Sequence, residues 1–193
     1  MGRTKQFNQQ AVLEDAMHLF WARGFHSTSM QDLVDHLGVN RQSIYDTFGG
    51  KRELFAAALE RYRELQALPM MRALEADGPV SDALRDLFQD MISDLLEDNG
   101  KGCLLVNSAT ELAGQDDAVF STCSANSRQL EATLSGLLAR AQQSGEIPAD
   151  RAVIPLARFL MSTFNGLAVT AKATRDPEVL NDVVEVALSA LDL

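Results

Sequence analysis

Hydrophobic residues recur every three or four positions along most of the chain, which is the spacing of one face of an α-helix. No stretch of six residues alternates convincingly between apolar and polar side chains, so the pattern does not predict strands. Glycine, asparagine and proline interrupt the periodicity at intervals and mark helix ends. The sequence therefore predicts an all-α protein of about nine helices.

Two of these predicted helices are short and lie close together near the N-terminus. The first begins beside Thr28 and Ser29, which are suited to cap it, and ends at Gly38. The second begins at Asn40, another capping residue, and ends at the glycine pair 49–50. Two short helices joined at a glycine are typical of the helix-turn-helix, whose second helix enters the major groove of DNA.

The second helix of this pair carries a polar face. Ile44 and Phe48 are four residues apart and hold one side of the helix against the core, so the other side chains point away from it or lie on its flanks. Those side chains are Arg41, Gln42, Ser43, Tyr45, Asp46 and Thr47. Arginine can bond guanine, glutamine can bond adenine, and tyrosine and threonine are suited to phosphates. A polar helix face is also common on ordinary helical bundles, so the face alone barely favours DNA.

A longer pattern is more specific than the polar face. It consists of Gly24-Phe25, Thr28-Ser29-Met30, Leu33, Leu37-Gly38-Val39, Ile44-Tyr45, Phe48, Lys51 and Leu54-Phe55. This pattern resembles the N-terminal signature of TetR-type transcriptional regulators, and it extends over residues 10–60. The size of the chain and its all-helical remainder also agree with that family.

The resemblance implies an N-terminal three-helix helix-turn-helix DNA-binding domain over residues 1–50 and a C-terminal helical ligand-binding and dimerisation domain over residues 51–193. Members of the family are mostly homodimeric repressors that bind palindromic operators and release DNA when a small molecule enters the C-terminal domain. The DNA contacts implied for this chain are Thr28, Ser29, Asn40, Arg41, Gln42, Tyr45, Thr47 and Lys51. Asp46 and Gly50 depart from the family's pattern, because an acid near phosphates costs affinity and a better N-cap residue often precedes the lysine.

Charge is distributed unevenly between the two predicted domains. The chain has a formal net charge of -10, yet residues 1–52 contain six basic and five acidic side chains and carry +1. The remaining residues contain 11 basic and 22 acidic side chains and carry −11. Since an acidic body repels DNA unless it is held away from it, we expect moderate, strongly salt-dependent binding by a dimer.

The end of the chain contains an apolar helix, residues 159–173, followed by a last helix rich in valine. The resemblance implies that these two helices form a four-helix dimer interface. The candidate interface residues are Leu160, Thr163, Gly166, Leu167, Thr170, Val179, Val183, Val186, Ala187 and Ala190. The same residues could instead build the core of the monomer, and periodicity does not separate the two.

A pocket for a reversible small-molecule inducer of unknown identity is expected among the fifth to eighth helices. Such pockets are mostly apolar, with a few polar groups that orient the ligand. The candidate apolar lining is Phe88, Met91, Leu95, Leu105, Met161 and Phe164, and the candidate polar groups are Asn107, Thr110, Glu111 and Asn165. For each apolar residue, a place in the plain core is the alternative.

Cys103 is a further candidate in this region. It lies near Lys101 at the start of a predicted helix, and both a cation and a helix N-terminus favour the reactive thiolate. The surrounding segment resembles the corresponding one in TetR-type regulators that respond to electrophiles and oxidants. The alternative is a small buried hydrophobe, which is how most free cysteines behave. Cys123 has no such setting.

Several classes of function lack their motifs. The sequence contains no phosphate-binding loop, no H-E-x-x-H and no nucleophile elbow, and its three histidines share no ligand spacing, so no cofactor, metal or catalytic activity is predicted. No signal peptide is recognisable, and the longest uncharged run, residues 159–171, is too short to span a membrane, so we expect a cytoplasmic protein. Two rivals remain open: a helical enzyme using Cys103 or Glu111, and an adaptor using the helix over residues 81–97.

Overall fold

Helices account for all the regular structure in the part of the chain that the computed structural model describes, residues 8–97 and 100–191. The first four helices are α1 (Gln9–Arg23), α2 (Met30–Leu37), α3 (Arg41–Phe48) and α4 (Lys51–Tyr62). A π-helical turn, Arg63–Ala67, carries α4 directly into α5 (Leu68–Ala73). The rest are α6 (Val80–Glu97), α7 (Leu104–Leu112), α8 (Asp117–Ser144), α9 (Val153–Thr174) and α10 (Pro177–Ser189). With α4 and α5 counted as one rod, the described residues form nine helices, which confirms the predicted fold class. The outer ends of the predicted domains, residues 1–7 and 192–193, lie outside them.

Local capping explains where α2 and α3 begin. The Ser29 hydroxyl accepts a hydrogen bond from the Asp32 amide at 3.1 Å, while the Asp32 carboxylate accepts one from the Ser29 amide at 2.8 Å, forming a capping box. Gly38 ends α2 with φ of 64°, a left-handed conformation that glycine adopts without strain. Asn40 then caps α3 by accepting from the Ser43 amide at 2.8 Å. The turn predicted from the sequence is therefore confirmed.

Aromatic side chains hold the first four helices together. The fully buried ring of Phe20 meets the ring of Phe55 edge-on, with 5.0 Å between centroids, and Phe25 meets Phe55 at 5.1 Å. Ile44 of α3 and Leu33 of α2 are also fully buried. Each such side chain stabilises the fold by about 1.5–3 kcal/mol through the apolar surface that it removes from water. This packing fixes α3 on the N-terminal core through its buried side.

The C-terminal part is built around α8 and α9, which pack along each other, while α10 packs against α9 and α6. Phe88 of α6 meets Phe164 of α9 with 5.4 Å between ring centroids. Helix α7 contacts α4 as well as α8 and α9. Both α4 and α7 therefore connect the N-terminal helices to the C-terminal body.

One face of α9 and α10 is apolar and uncovered in the monomer. Val186 is 66% exposed, Val169 53% and Phe159 41%. Leu160 and Leu167, expected at the interface, are instead buried within the monomer, where α9 packs against α8 and α6, and Ala187 is buried as well. Helix α9 is the one helix of the described residues that is long and apolar enough to cross a membrane, and only 28% of its apolar window is buried.

Candidate nucleic-acid interface and ligand cavity

Helix α3 presents its polar side chains to solvent. Ile44 is buried, whereas Arg41, Gln42, Tyr45 and Asp46 are exposed. Within the described part of the chain, the Arg41 guanidinium makes no hydrogen bond or ion pair, so it is available to a partner outside the chain. The remaining predicted contacts on this surface are the exposed caps Ser29 and Asn40 and the half-buried Thr47.

Asp46, which departs from the family's pattern, has a partner on its own helix. Its carboxylate accepts a hydrogen bond from the Gln42 amide group at 2.6 Å, across one helical turn. This hydrogen bond directs the Gln42 amide nitrogen toward Asp46. This arrangement leaves the Gln42 carbonyl oxygen, and one of its N–H groups, free to bond a base edge.

Two of the predicted DNA contacts sit differently from the expectation. The Thr28 side chain is fully buried and its hydroxyl donates to the Gly24 carbonyl at 2.7 Å, so it braces the turn before α2 and does not face solvent. The Lys51 ammonium lies 4.1 Å from the centroid of the Phe25 ring, and desolvation lowers the pKa of Lys51 against the opposing charges of Glu111 and Asp32. Lys51 is therefore packed against the protein and only half exposed.

The first turn of α4 nevertheless offers backbone donors. Its N-cap residue, Gly50, has no side chain to satisfy the free N–H groups, in contrast to Ser29 and Asn40 at the starts of α2 and α3. Uncapped N–H groups at a helix start bind anions such as phosphate. The departure at Gly50 noted in the sequence thus leaves these N–H groups without a cap from the N-cap residue, and the Glu53 carboxylate of the first turn lies beside Gly50.

A cavity of about 1460 Å³ lies among α1, α4 to α9 and the segments between them. Six of the predicted lining residues contribute to it: Met91, Leu95, Cys103, Leu105, Phe164 and Asn165. Thr110 lines it as well. This volume exceeds what a drug-sized ligand needs.

Four predicted lining residues do not reach the cavity. Phe88 is fully buried against Phe164, and Met161 packs on the core. The Asn107 amide donates to the Lys101 carbonyl at 2.8 Å and accepts from Lys172 at 3.1 Å, so it closes the loop before α7. The Glu111 carboxylate accepts hydrogen bonds from backbone amides of the turn between α1 and α2. These four expectations are corrected, because helical periodicity does not distinguish core from cavity.

The cavity wall also contains residues that the sequence did not single out. Trp21 and His18 come from α1, and Tyr62 comes from α4. The Trp21 indole N–H donates to the Gly102 carbonyl at 2.7 Å, and its ring meets Tyr62 edge-on at 5.0 Å. In the sequence, the one indication that α1 contributes to the cavity was a tryptophan near the end of this helix. A ligand in this cavity would touch α1 directly.

The two cysteines differ in environment. Cys103 is half-buried at the N-cap of α7 and lines the cavity, while the neighbouring Lys101 ammonium lies 5.0 Å from the Trp21 ring centroid. Cys123 also lines the cavity, but it is buried, its thiol lies 3.6 Å from the Leu105 carbonyl, and burial raises its pKa to about 11. Cys123 is therefore protonated and unreactive at neutral pH.

Polar contacts also join the first four helices to the C-terminal body. The Glu111 carboxylate accepts hydrogen bonds from the Phe25 and His26 amides at 3.1 Å and 2.8 Å. Trp21 bonds the Gly102 carbonyl, and Arg52 pairs with Asp116, the N-cap of α8. No cluster of metal-ligating side chains occurs among residues 8–97 and 100–191.

Comparisons with known proteins agree over the whole chain. The family model described as bacterial regulatory proteins, tetR family, matches residues 12–58, and that of the tetracyclin repressor-like C-terminal domain matches residues 80–187. An uncharacterized HTH-type transcriptional regulator, YezE of Bacillus subtilis (strain 168), is 40% identical, and the match covers 100% of both chains. The HTH-type transcriptional repressor ComR of Escherichia coli (strain K12) is 32% identical, with 97% of this chain and 90% of ComR covered.

A solved structure resembles the fold closely. It is a cysteine mutant of the TetR family transcriptional regulator CifR in complex with 26-bp double-strand operator DNA. The two chains superpose with a TM-score of 0.87 at 28% identity, and the match covers 98% of this chain and 100% of CifR. The similarity therefore includes both the helix-turn-helix and the cavity-bearing part.

Proposed function

Because this chain belongs to the TetR family of bacterial regulatory proteins, we propose that its α3 face reads an operator and that its cavity receives the small molecule that releases the DNA. The protein is a helix-turn-helix transcriptional regulator that acts on operator DNA as a homodimer, with the repressor mode typical of its relatives. The observation that carries the proposal is the polar face of α3, held outward by the buried Ile44. We keep the predicted division at residues 50 and 51, with α4 as the connection between the two domains.

The base-reading residues in this proposal are Arg41 and Gln42, and Tyr45, Thr47 and the uncapped start of α4 bind phosphates. A gel-shift experiment with duplexes selected by the wild-type protein from a random pool tests the assignment. Arg41→Ala should weaken binding by roughly tenfold or more, since a bidentate arginine–guanine contact contributes about 1–3 kcal/mol. Arg128→Ala removes the same charge from the exposed surface of α8 and serves as the control.

The sequence preference of the Arg41→Ala variant distinguishes a base contact from a phosphate contact. Loss of a base contact relaxes the preference at one position of the duplex, whereas loss of a phosphate contact weakens all sequences alike. An unchanged sequence preference in Arg41→Ala, together with wild-type affinity, would remove Arg41 from base recognition. Wild-type protein that selects no sequence at all would overturn the operator proposal itself.

Ligand binding in the cavity can be followed without a label. Trp21 is the one tryptophan in the sequence, and it lies in the cavity wall. We propose that a bound inducer changes the Trp21 fluorescence and lowers operator affinity at the same concentration. A compound that releases DNA while leaving the fluorescence unchanged would place the inducer site elsewhere.

The charge of the cavity bears on the ligand. One side of α6 contributes four aspartates to the cavity lining: Asp82, Asp86, Asp90 and Asp94. The described lining residues include no lysine or arginine. We therefore propose a neutral or cationic inducer, because an anion would enter against a negative field. Tighter binding of an anionic compound than of its neutral analogue would contradict this.

Cys103 supports a second way of releasing DNA, by covalent reaction with an electrophile. Its place in the cavity wall, beside the carbonyl that holds Trp21, means that an adduct would disturb the contact with α1. DNA release by N-ethylmaleimide in the wild type but not in Cys103→Ser would support this route. Equal release in both would exclude it.

The uncovered apolar face of α9 and α10 fits the homodimer interface of the family. Its exposed residues are Ile154, Phe159, Val169, Val179, Val183 and Val186. Covering this face would remove the largest group of exposed apolar side chains from water. We propose that two copies associate through it.

The rival functions receive less support than regulation. An enzyme using Glu111 as a base would have to break both of its hydrogen bonds to backbone amides. An adaptor using α6 would compete with its packing on α8, α9 and α10. We propose that the protein catalyses no reaction, and that it acts in the cytoplasm, where bacterial DNA is.

A further inference from the structure

The turn between α1 and α2 is held by a side chain from the other domain. Helix α1 ends at Arg23, and the amides of Phe25 and His26 that follow have no helical partner. Both donate to the Glu111 carboxylate near the end of α7, at 3.1 Å to Oε2 and 2.8 Å to Oε1. Hydrogen bonds to a charged acceptor are about twice as strong as neutral ones, so this contact is strong for its size.

Gly24 permits the carboxylate to come this close. A Cβ atom at Gly24 would lie 3.0 Å from Glu111 Oε2 and 3.3 Å from Oε1, and its φ of 81° is a conformation that other residues rarely adopt. The turn and the carboxylate therefore fit each other at three successive residues.

The position of the turn determines where α2 begins. The Thr28 hydroxyl donates to the Gly24 carbonyl at 2.7 Å, and the Thr28 amide donates to the Phe25 carbonyl at 3.3 Å. Ser29 then caps α2, which leads through Gly38 into α3. Anchoring residues 25 and 26 thus anchors the start of the helix-turn-helix.

We propose that Glu111 is a positioning residue for DNA recognition: from the ligand-binding domain, its carboxylate fixes the α1–α2 turn and thereby the placement of α3 on DNA. This inference rests on the proposed function of α3. Helix α7 also lines the cavity through Leu105, Val106 and Thr110, so one rigid element contacts both the ligand site and the turn. A ligand that displaces α7 therefore displaces the carboxylate from the two amides.

The experiment compares Glu111→Gln and Glu111→Ala with wild type. Glutamine keeps one acceptor oxygen but places an amide nitrogen against an N–H group, so it loses at least one hydrogen bond. We expect amide hydrogen exchange at residues 25 and 26 to accelerate in both variants. Affinity for the duplex selected by the wild type should fall on the order of tenfold, with little change for a random duplex. Glu75→Gln removes the same charge from an exposed position of the same domain and should change neither.

A general loss of folding would look different. It would lower the fraction of active protein in a stoichiometric titration and weaken both duplexes together. Wild-type exchange at residues 25 and 26, or an unchanged ratio of specific to random binding in properly folded Glu111→Ala, would overturn the inference. A wild type that selects no duplex would instead refute the proposed function.

Gly24→Ala supplies an independent arm. It should reduce the same binding ratio in wild type, because the new methyl group pushes the carboxylate away. Its effect should be smaller in the Glu111→Ala background. The backbone strain at this φ is the same in both backgrounds, but only the wild type has a Glu111 carboxylate for the methyl group to displace. Equal effects in the two backgrounds would show that Glu111 does not act through this turn.

Discussion

Replacing Asp116 with asparagine should destabilise the protein, because it removes an ion pair while keeping a helix cap. Asp116 is the N-cap of α8, where its Oδ1 accepts from the Ala118 and Val119 amides at 3.0 Å and 3.1 Å. Its Oδ2 accepts from the Arg52 guanidinium, which also donates to the Gln115 carbonyl at 3.2 Å. Asparagine caps a helix about as well as aspartate, so Asp116→Asn removes mainly the pairing with Arg52.

The expected magnitude follows from the exposure of the two partners. The Asp116 side chain is 6% exposed but that of Arg52 is 60% exposed, so solvent screens much of the attraction. We expect Asp116→Asn to cost about 0.5–1 kcal/mol. Asp116→Ala loses the cap as well and should cost about 2 kcal/mol. For a chain of this length these values correspond to Tm decreases of roughly 1–4 °C and 4–8 °C.

Thermal unfolding at one fixed protomer concentration measures these differences, since dimer dissociation makes Tm depend on concentration. Hydrogen bonding from Arg52, and from the α8 amides, lowers the pKa of Asp116 below its ordinary value of 3.8. The stability that this pairing supplies is therefore fully present above that ordinary value, and it is lost as the pH falls through the lowered pKa of the folded state. The difference in Tm between wild type and Asp116→Asn should thus be constant near neutral pH and disappear in strong acid. Identical Tm values at pH 7, or a gap that persists below the folded-state pKa, would refute the reasoning.

Three other outcomes are expected. Gly38→Ala should lower the free energy of unfolding by about 1 kcal/mol, because the φ of 64° at this position disfavours alanine. Gly136→Ala, in the middle of α8, should raise the free energy of unfolding by up to about 1 kcal/mol, and denaturant melts showing the same sign for both variants would contradict this. Iodoacetamide at pH 8 should label Cys103 well before Cys123, whose pKa is raised to about 11, and mass spectrometry showing equal labelling would disprove the difference. Val186→Glu should shift the protein from dimer to monomer in analytical ultracentrifugation, and a dimer of wild-type stability would argue against the α9–α10 interface.

The helices and the helix-turn-helix could be predicted from the sequence, because the interactions that set them are local. Ser29 and Asp32 are three residues apart, and so are Asn40 and the amide that it caps. The helical periodicity of about 3.6 residues places Ile44 on the buried side of α3. Such features can be predicted from a window of a few residues.

Which apolar residues line the cavity and which fill the core depends on how the helices pack together. Phe88 and Met91 lie on the same helix and obey the same periodicity, yet the first packs against α9 and the second faces the cavity. A helical period reports which side of a helix is turned inward, and not whether that inside is filled.

The role of Glu111 was equally out of reach of the sequence. Its bond to Phe25 joins residues 86 positions apart, and neither residue carries a local signal for the other. The same separation hides the bond from Trp21 to Gly102 across 81 positions. Contacts between domains depend on how packed helices bring distant residues together, so the sequence could predict a DNA-reading face on α3, while the hydrogen bonds from the α1–α2 turn to Glu111 became visible only in the folded chain.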